Sequence, residues 1–347
     1  MTGAELIIDL AAFRANVARL AAIASPARTM LAVKANAYGH GLLPLARAAL
    51  EAGADSLAVL DVTTALQVRR AGIESPLFAW LHGIETDFGS AIDADVDLGI
   101  SALWQLDAIG SARRSTPARV HLKVDTGLHR NGARPQDWPA LVTAALAAQD
   151  AGRVRVVGLW SHLADASPSD DADALARFRH AVEVARELGC QPDVLHLAAS
   201  SAGIREPEAR FDLVRFGIAA YGISPFDDET AAQLGLRAVM TMRAPVREVD
   251  GDRVIVAVGS ADGVNSPAAG RAFVAIDGRR LRVSEIGIDT LTLDRDGAPI
   301  VVGAIATIFG PGDDGEASAE EWADWAGTIG DEIVAHTTPR IARTYRE

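Results

Sequence analysis

A lysine that follows an apolar run is the residue with the clearest chemical potential in this sequence. Lys34 comes directly after Met30-Leu31-Ala32-Val33 and opens the segment Lys34-Ala35-Asn36-Ala37-Tyr38-Gly39-His40-Gly41. An unpaired charged amine is costly to bury, and burial lowers the pKa of a lysine. A neutral amine can form a Schiff base with a carbonyl cofactor. From position alone, the alternative is a lysine paired with a neighbouring carboxylate.

Polar residues also follow three later strand-like runs. They lie in the segments 121–132 (HLKVDTGLHRNG), 161–162 (SH) and 196–203 (HLAASSAG), and a further polar segment, 215–218 (RFGI), forms part of a fourth run. In (β/α)8 barrels the active site lies at the C-terminal ends of the strands, and the last two βα loops commonly bind phosphate. Several polar strand ends on one face therefore predict a site for a phosphorylated ligand.

The elements that would position these residues alternate regularly. Short β-branched or apolar runs alternate with longer helical patterns such as Leu42–Ala52 and Asp171–Leu188, which predicts repeated βα units. The predicted strands are Met30–Lys34, Ser56–Leu60, Pro76–Trp80, Leu98–Ser101, Arg119–Val124, Arg155–Trp160, Asp193–Leu197 and Leu213–Phe216. Eight parallel strands favour a closed (β/α)8 TIM barrel over an open sheet.

The pattern changes near residue 225. Short strand-like runs separated by Gly, Asp and Pro follow, and helical spacing returns only at Ala319–His336. The sequence thus predicts an α/β chain with a barrel domain over 10–224. A mostly β C-terminal domain over 225–347 would also include the N-terminal strand at 1–9.

Composition restricts the class of protein. The chain has 347 residues, 49% of them hydrophobic, and a net charge of −13. The single cysteine, Cys190, excludes a disulfide framework and a cysteine-ligated metal site, and no signal peptide or membrane span is visible. The acidic balance disfavours nucleic acid. We expect a cytoplasmic protein with a small-molecule substrate, no metal and no membrane partner.

Motifs along the whole chain resemble the alanine racemase family, whose members are fold-type III pyridoxal 5'-phosphate (PLP) enzymes. The Lys34 segment is the most specific motif, and the others follow in the family's order. They are 125–132 (DTGLHRNG), 161–164 (SHLA), 196–203 (HLAASSAG), 215–222 (RFGIAAYG), Asp289, Glu320-Glu321, 325–329 (WAGTI) and Pro339-Arg340. The resemblance implies a barrel, a β domain and a homodimer in which each active site combines the barrel of one subunit with the β domain of the other.

The resemblance also implies roles for the cofactor-binding residues. Lys34 would hold PLP as a Schiff base and serve as one of two catalytic bases. Tyr38, Ser200 and the N–H groups of Gly217 and Ile218 would bind its phosphate. The number of residues between this serine and Arg215 favours Ser200 over Ser201 as the phosphate-binding residue.

Four further residues would act around the ring and the substrate. Arg215 would face the pyridine nitrogen and keep it unprotonated, and His162 would pack beside the cofactor and support that arginine. Arg130 would lie near the cofactor hydroxyl and the substrate carboxylate, positioned by Lys123, which is carbamylated in some relatives. The N–H of Ile288 would contact the substrate carboxylate from the partner chain.

One catalytic position departs from the family pattern. Alanine racemases carry their second base as the tyrosine of a Gly-Tyr-x-Asp-Gly motif in the partner's β domain, whereas this chain reads 259–263 as GSADG, with Ser260 in place of the tyrosine. The three tyrosines of the chain are Tyr38, Tyr221 and Tyr345, and none is a clear substitute for the missing second base. A second tyrosine that relatives carry in the C-terminal helix is missing from 328–332 (TIGDE), and the arginine that usually follows the motif is missing from 264–267 (VNSP). We therefore expect altered or impaired racemisation of L- and D-alanine.

Three functions remain open from the sequence. The chain could be a PLP-dependent racemase that is slow or acts on another amino acid. It could instead be a one-base PLP enzyme on the same scaffold, such as a decarboxylase, dehydratase or exchange catalyst. The third alternative is a PLP-binding protein, or one half of a heterodimer in which a true racemase supplies the missing tyrosine.

Overall fold

A computed structural model describes residues 3–112, 114–165 and 167–347. Its strands, in chain order, are β1 Glu5–Asp9, β2 Arg28–Ala32, β3 Ser56–Val59, β4 Leu77–Ala79, β5 Asp97–Ile100, β6 Ala118–Lys123, β7 Val154–Trp160, β8 Val194–His196, β9 Leu213–Phe216, β10 Met240–Asp250, β11 Arg253–Val256, β12 Phe273–Ile276, β13 Arg279–Ile286, β14 Leu291–Asp294, β15 Ile305–Phe309 and β16 Ala342–Arg346. Its right-handed helices are α1 Leu10–Ala24, α2 Leu42–Glu51, α3 Val62–Arg70, α4 Phe88–Asp93, α5 Leu103–Ser111, α6 Trp138–Asp150, α7 Pro168–Glu187, α8 Ser200–Arg205, α9 Ala319–Ala326 and α10 Gly330–Ala335.

Strands β2 to β9 form one parallel sheet that is nearly closed into a barrel. The strands follow chain order from β2 to β8, and β9 pairs with β2. Between β8 and β9 two backbone bonds bridge the gap, from Asp212 N to Leu195 O and from Arg215 N to Ala198 O, both 3.1 Å long. The predicted eight-stranded barrel is confirmed, and each predicted strand overlaps an observed one.

Apolar side chains form a packed cluster in the barrel interior. Its central cluster consists of Met30, Ala58, Phe78, Trp160, Val194 and Leu213. Burial of one large apolar side chain contributes about 1.5–3 kcal/mol, so this cluster strongly favours the closed arrangement. A packed interior fixes the strand ends, which is what a site built from several strands requires.

The second sheet is mostly antiparallel. Its strand order is β11-β14-β13-β12-β15-β10-β1-β16. The N-terminal strand β1 pairs antiparallel with β10 and parallel with β16. The predicted mostly β C-terminal part is confirmed. The helical pattern predicted over 319–336 forms two helices, because Gly327 ends α9 with φ 72°, a backbone conformation open to glycine.

Residue contacts divide the chain into two compact units. The barrel unit comprises Leu20–Lys34 and Ala49–Gly217, and the β unit comprises residues up to Arg19, Ala35–Ala48 and Ile218–Glu347. The domain boundary placed near residue 225 by the sequence stays a prediction. Within the described residues, helices long and apolar enough to cross a bilayer are absent.

Candidate active site

Lys34 lies just beyond the C-terminal end of β2. That strand ends at Ala32, two residues earlier than the sequence predicted, although Val33 N still donates to Ala58 O at 2.8 Å. The Lys34 side chain is half-buried. It therefore leaves the barrel at the end where barrel enzymes carry their catalytic groups.

A left-handed turn follows the lysine. The φ angles of Ala35, Asn36, Ala37 and Tyr38 are 51°, 56°, 53° and 49°. Such a conformation costs roughly 1–2 kcal/mol for each residue other than glycine. Its hydrogen bonds include those from Gly39 N to Ala35 O at 2.9 Å and from Leu42 N to Asn36 Oδ1 at 2.8 Å. Strain maintained in this way is typical of functional segments.

Lys123 is buried at the end of β6. Its ammonium nitrogen lies 4.6 Å from the centre of the Trp160 ring. Burial, with the positive charges of Arg215 and Arg130, lowers the pKa of Lys123 to about 7, and Asp125 opposes the shift. A substantial fraction of this amine is therefore neutral at neutral pH. Arg130 itself is exposed.

Arg215 is buried on β9 and makes four hydrogen bonds. In the described part of the chain its partners are Nδ1 of His196 at 2.9 Å, Nδ1 of His162 at 3.2 Å and the carbonyls of Ser161 and Leu197, both at 2.8 Å. None of these partners is a carboxylate. Burial lowers the pKa of Arg215 to about 9.

His162 connects this arginine to the lysines. Burial, followed by the charges of Arg215, Arg130, Lys123 and Lys34, lowers the pKa of His162 well below its usual value. The ring is therefore neutral near pH 7, and its Nδ1 accepts a hydrogen bond from Arg215. Four of the predicted site residues thus act on one imidazole, which locates them in one part of the barrel unit.

Ser200 and Gly217 also lie together at this end of the barrel. Gly217 N donates to Oγ of Ser200 at 3.1 Å, and the serine is buried at the start of α8. The Ser200 hydroxyl accepts this bond and keeps its own proton for another acceptor, such as a phosphate oxygen. Ile218, the next residue, is buried and begins a 3-10 turn that ends at Tyr221.

Within the β unit, the three tyrosines are all committed to packing or hydrogen bonds. The Tyr221 ring lies 4.8 Å from the rings of both Tyr38 and His40. Burial raises the pKa of Tyr38 and of Tyr221, so both phenols are poor proton donors. Tyr345 donates from its hydroxyl to the carbonyl of His40 at 3.2 Å.

Ser260 and Ile288 are held side by side in the β unit. Ser260 N donates to Gly287 O at 2.9 Å, and Ala261 N donates to Ile288 O at 3.0 Å. The Ile288 side chain is 70% exposed. A Cβ atom on Gly259 would lie 2.4 Å from Ile288 O, so this close approach requires glycine.

Both parts of the chain match one family of proteins. Residues 8–225 match the alanine racemase N-terminal domain, and residues 244–345 match the alanine racemase C-terminal domain. The chain belongs to the alanine racemase family. It is 41% identical to an alanine racemase of Frankia casuarinae, over 98% of this chain and 95% of that protein.

Solved structures of alanine racemases have the same fold. The Streptomyces coelicolor enzyme matches with a TM-score of 0.96 at 40% identity, over 99% of this chain and 98% of that one. A Bacillus anthracis alanine racemase with bound L-Ala-P matches with a TM-score of 0.89 at 26% identity, over 99% and 95%. The predicted resemblance is confirmed, as is the prediction of a racemase-like, PLP-dependent isomerase.

Lysine is rare in this chain. Lys34 and Lys123 are the only two lysines in the chain, although Lys and Arg together number 33. A guanidinium cannot lose its proton in a protein, whereas a lysine can become neutral and act as a nucleophile. Both lysines of the chain are thus among the predicted site residues.

The sequence motifs contain His121 and His196, but they predict no role for these histidines or for Asp97. In the structure these three residues are joined to Arg215 by hydrogen bonds. A histidine within a barrel strand only weakly indicates a functional residue. Strand order does not determine which ring nitrogens form hydrogen bonds across the interior.

Proposed function

We propose that this chain binds PLP through Lys34, moves the α-proton of alanine on one face, and inverts alanine slowly. Two observations support the proposal. Lys34 lies in one part of the barrel with Lys123, His162 and Arg215. The chain also has Ser260 at the position where, by the family resemblance, the second base would lie.

The predicted cofactor-binding residues carry groups that suit PLP. Ser200 and the N–H of Gly217, which are bonded to each other, would turn to the phosphate when it binds. Following the family resemblance, we assign Tyr38 and the N–H of Ile218 to the same group. Arg215 would donate to the ring nitrogen and leave it unprotonated, with His162 beside it. When bound, PLP supplies electron withdrawal from the α-carbon of an amino acid.

Substrate recognition is assigned to cationic and backbone donors. Arg130 would provide positive charge for the carboxylate of an amino acid, and Lys123 would position this arginine. The N–H of Ile288 would reach the same carboxylate from the partner chain. We therefore also propose a homodimer with shared sites, and alanine as the substrate, in line with the L-Ala-P of the Bacillus anthracis relative.

The two faces of the α-carbon differ in the base available for proton transfer. Lys34 can remove and return a proton on one face only. A free tyrosine has a pKa of about 10, whereas a serine hydroxyl is much harder to deprotonate and shorter. Loss of one general acid or base typically lowers a rate by about 10²–10⁴-fold. We therefore infer a racemase in which inversion is slower than exchange.

Incubation with L- or D-alanine in D2O tests this inference. Loss of the α-proton is followed by NMR, and inversion is followed by chiral chromatography of the same samples. We expect rapid exchange on D-alanine, the enantiomer on which the lysine base acts in the family, with little inversion. Rapid inversion of both enantiomers would contradict the impairment, and absence of exchange in PLP-loaded protein would favour a binding protein.

We further propose that Lys123 becomes carbamylated. Its neutral amine would attack CO2, form a nitrogen–carbon bond and release a proton, and the resulting anion would lie beside Arg215 and Arg130. Because the pKa of Lys123 is lowered to about 7, the neutral fraction and hence the carbamate should increase as pH rises from about 6 to 8. With ¹³CO2, we expect one carbamate resonance that Lys123→Met removes.

This measurement has few competing signals. Only Lys34 and the N-terminal amine are other primary amines in the chain, and reduction of the holoenzyme with borohydride would block the first. A carbamate resonance that survives Lys123→Met, or none at pH 8 with CO2 in excess, would show that Lys123 remains a free amine.

A further inference from the structure

A chain of hydrogen bonds crosses the barrel interior and ends at Arg215. Nη1 of Arg215 lies 2.9 Å from Nδ1 of His196. Nε2 of His196 lies 2.9 Å from Nδ1 of His121, and Nε2 of His121 lies 3.1 Å from Oδ2 of Asp97. Arg119 holds the same carboxylate through two bonds of 2.6 and 3.1 Å. We call Asp97, His121 and His196 the relay.

The relay has only one possible direction. A guanidinium nitrogen can only donate, so Nδ1 of His196 must accept and the proton of this neutral ring lies on Nε2. That proton is then donated to Nδ1 of His121, whose own proton lies on Nε2 and is donated to Asp97. Burial, together with the charge of Arg215, lowers the pKa of His196 well below its usual value, which agrees with a neutral ring.

The charges of the relay complement each other. Arg215 is buried with no carboxylate among its partners in the described residues. Burial raises the pKa of Asp97, but hydrogen bonds from His121 and Arg119 outweigh it and hold that pKa below its usual value. Asp97 is therefore an anion, and the two aligned imidazoles link it to the buried guanidinium. Hydrogen bonds in such a chain polarise and strengthen one another.

Aromatic side chains pack around the relay, and a glycine on the strand between its two histidines leaves space for them to meet. His196 is stacked on Trp160 with ring planes 2° apart, and Phe78 lies 4.8 Å from the His121 ring. Strand β7 separates β6 from β8, and the two histidines meet across it because of Gly158. A Cβ atom on Gly158 would lie 2.2 Å from Nδ1 of His121, the atom that accepts from His196.

We propose that Asp97, His121 and His196 are positioning residues, and that their directed hydrogen bonds fix the guanidinium of Arg215 toward the ring nitrogen of PLP. The inference rests on the proposed function for the role of Arg215. Residues of the barrel strands β5, β6 and β8 would thereby influence the reaction through Arg215, without contacting the cofactor or the substrate. Asp97 lies at the N-terminal end of β5, so the relay connects the opposite end of the barrel to the candidate site.

Three variants disturb the relay at different points. His121→Phe keeps an aromatic ring and removes both bonds, Asp97→Asn keeps an acceptor and removes the charge, and Gly158→Ala adds only a methyl group against Nδ1 of His121. Gly83→Ala is the matched control, because its added Cβ would meet open space. In His121→Phe and Gly158→Ala holoenzymes we expect kcat for exchange on D-alanine to fall about tenfold with KM unchanged, as for other outer hydrogen-bond partners.

Spectroscopy separates a positioning role from a purely structural one. In ¹⁵N-histidine-labelled holoenzyme, both relay histidines should be neutral with the proton on Nε2. The absorption maximum of bound PLP should shift in His121→Phe and Gly158→Ala, shift less in Asp97→Asn, and stay constant in Gly83→Ala. A proton on Nδ1 of either relay histidine, or unchanged spectra and kcat in the folded variants, would overturn the proposal. The ¹⁵N measurement of histidine protonation tests the relay even if the proposed exchange activity is absent.

Discussion

Replacement of Lys34 by alanine should abolish covalent attachment of PLP and lower exchange on D-alanine by at least about 10³-fold. The amine is both the point of attachment and the base, and a general base alone contributes about 10²–10⁴-fold. Mass spectrometry after borohydride reduction measures the attachment directly. Because Lys123 is the only other lysine in the chain, the reduced adduct in the unaltered protein should map to the peptide containing Lys34.

Two comparisons make this result specific. Lys34→Arg keeps a positive charge near His162 but cannot form a Schiff base, so it should be as inactive as the alanine variant. Added methylamine should restore part of the exchange in Lys34→Ala, where space for an amine is left, and none in Lys34→Arg. Full activity of Lys34→Ala, or an adduct mapped to Lys123 in the unaltered protein, would refute the assignment.

Replacement of Ser260 by tyrosine should increase inversion of alanine by about 10²–10⁴-fold, the usual contribution of one general acid or base. Exchange on L-alanine should rise with it, while exchange on D-alanine by Lys34 should change little. The backbone at this position is held by the bond from Ser260 N to Gly287 O, and the side chain is half-buried. The new tyrosine side chain would therefore extend from a backbone that is held in place.

A second tyrosine variant serves as the control. Ser266 is exposed at the next 3-10 turn of the same unit, and Ser266→Tyr should leave both rates unchanged. Equal rates in Ser260→Tyr and the unaltered protein would mean that the missing phenol does not limit inversion. In that event Ser260, through a bound water, or another group already supplies the second proton.

The local sequence predicted much of the architecture. Alternating apolar runs and helical patterns predicted the eight barrel strands, because strand and helix periods follow from backbone geometry alone. The end of β2 was placed two residues late, since Val33 still makes a ladder bond. Gly327 within the pattern over 319–336 is a conventional helix-ending signal, and the structure shows a break there.

The left-handed turn after Lys34 was not predictable in the same way. Residues 35–38 contain no glycine, and their intrinsic preferences oppose positive φ angles. Local hydrogen bonds close the turn, and the glycine that follows it packs closely against residues distant in the chain. A Cβ atom on Gly39 would lie 2.2 Å from Val334 O, and Arg343 donates to Gly39 O at 2.6 Å.

The sequence by itself determined which chemistry is available. It contains two lysines, three tyrosines and the serine at position 260, and residue types fix which groups can lose or gain a proton. Only the tertiary structure decided how those groups are tuned, because pKa values and hydrogen-bond direction depend on what is packed around each side chain. Thus Lys123 is partly neutral because Arg215 and burial oppose its charge, and Arg215 meets Asp97 through two histidines that lie far apart in the chain.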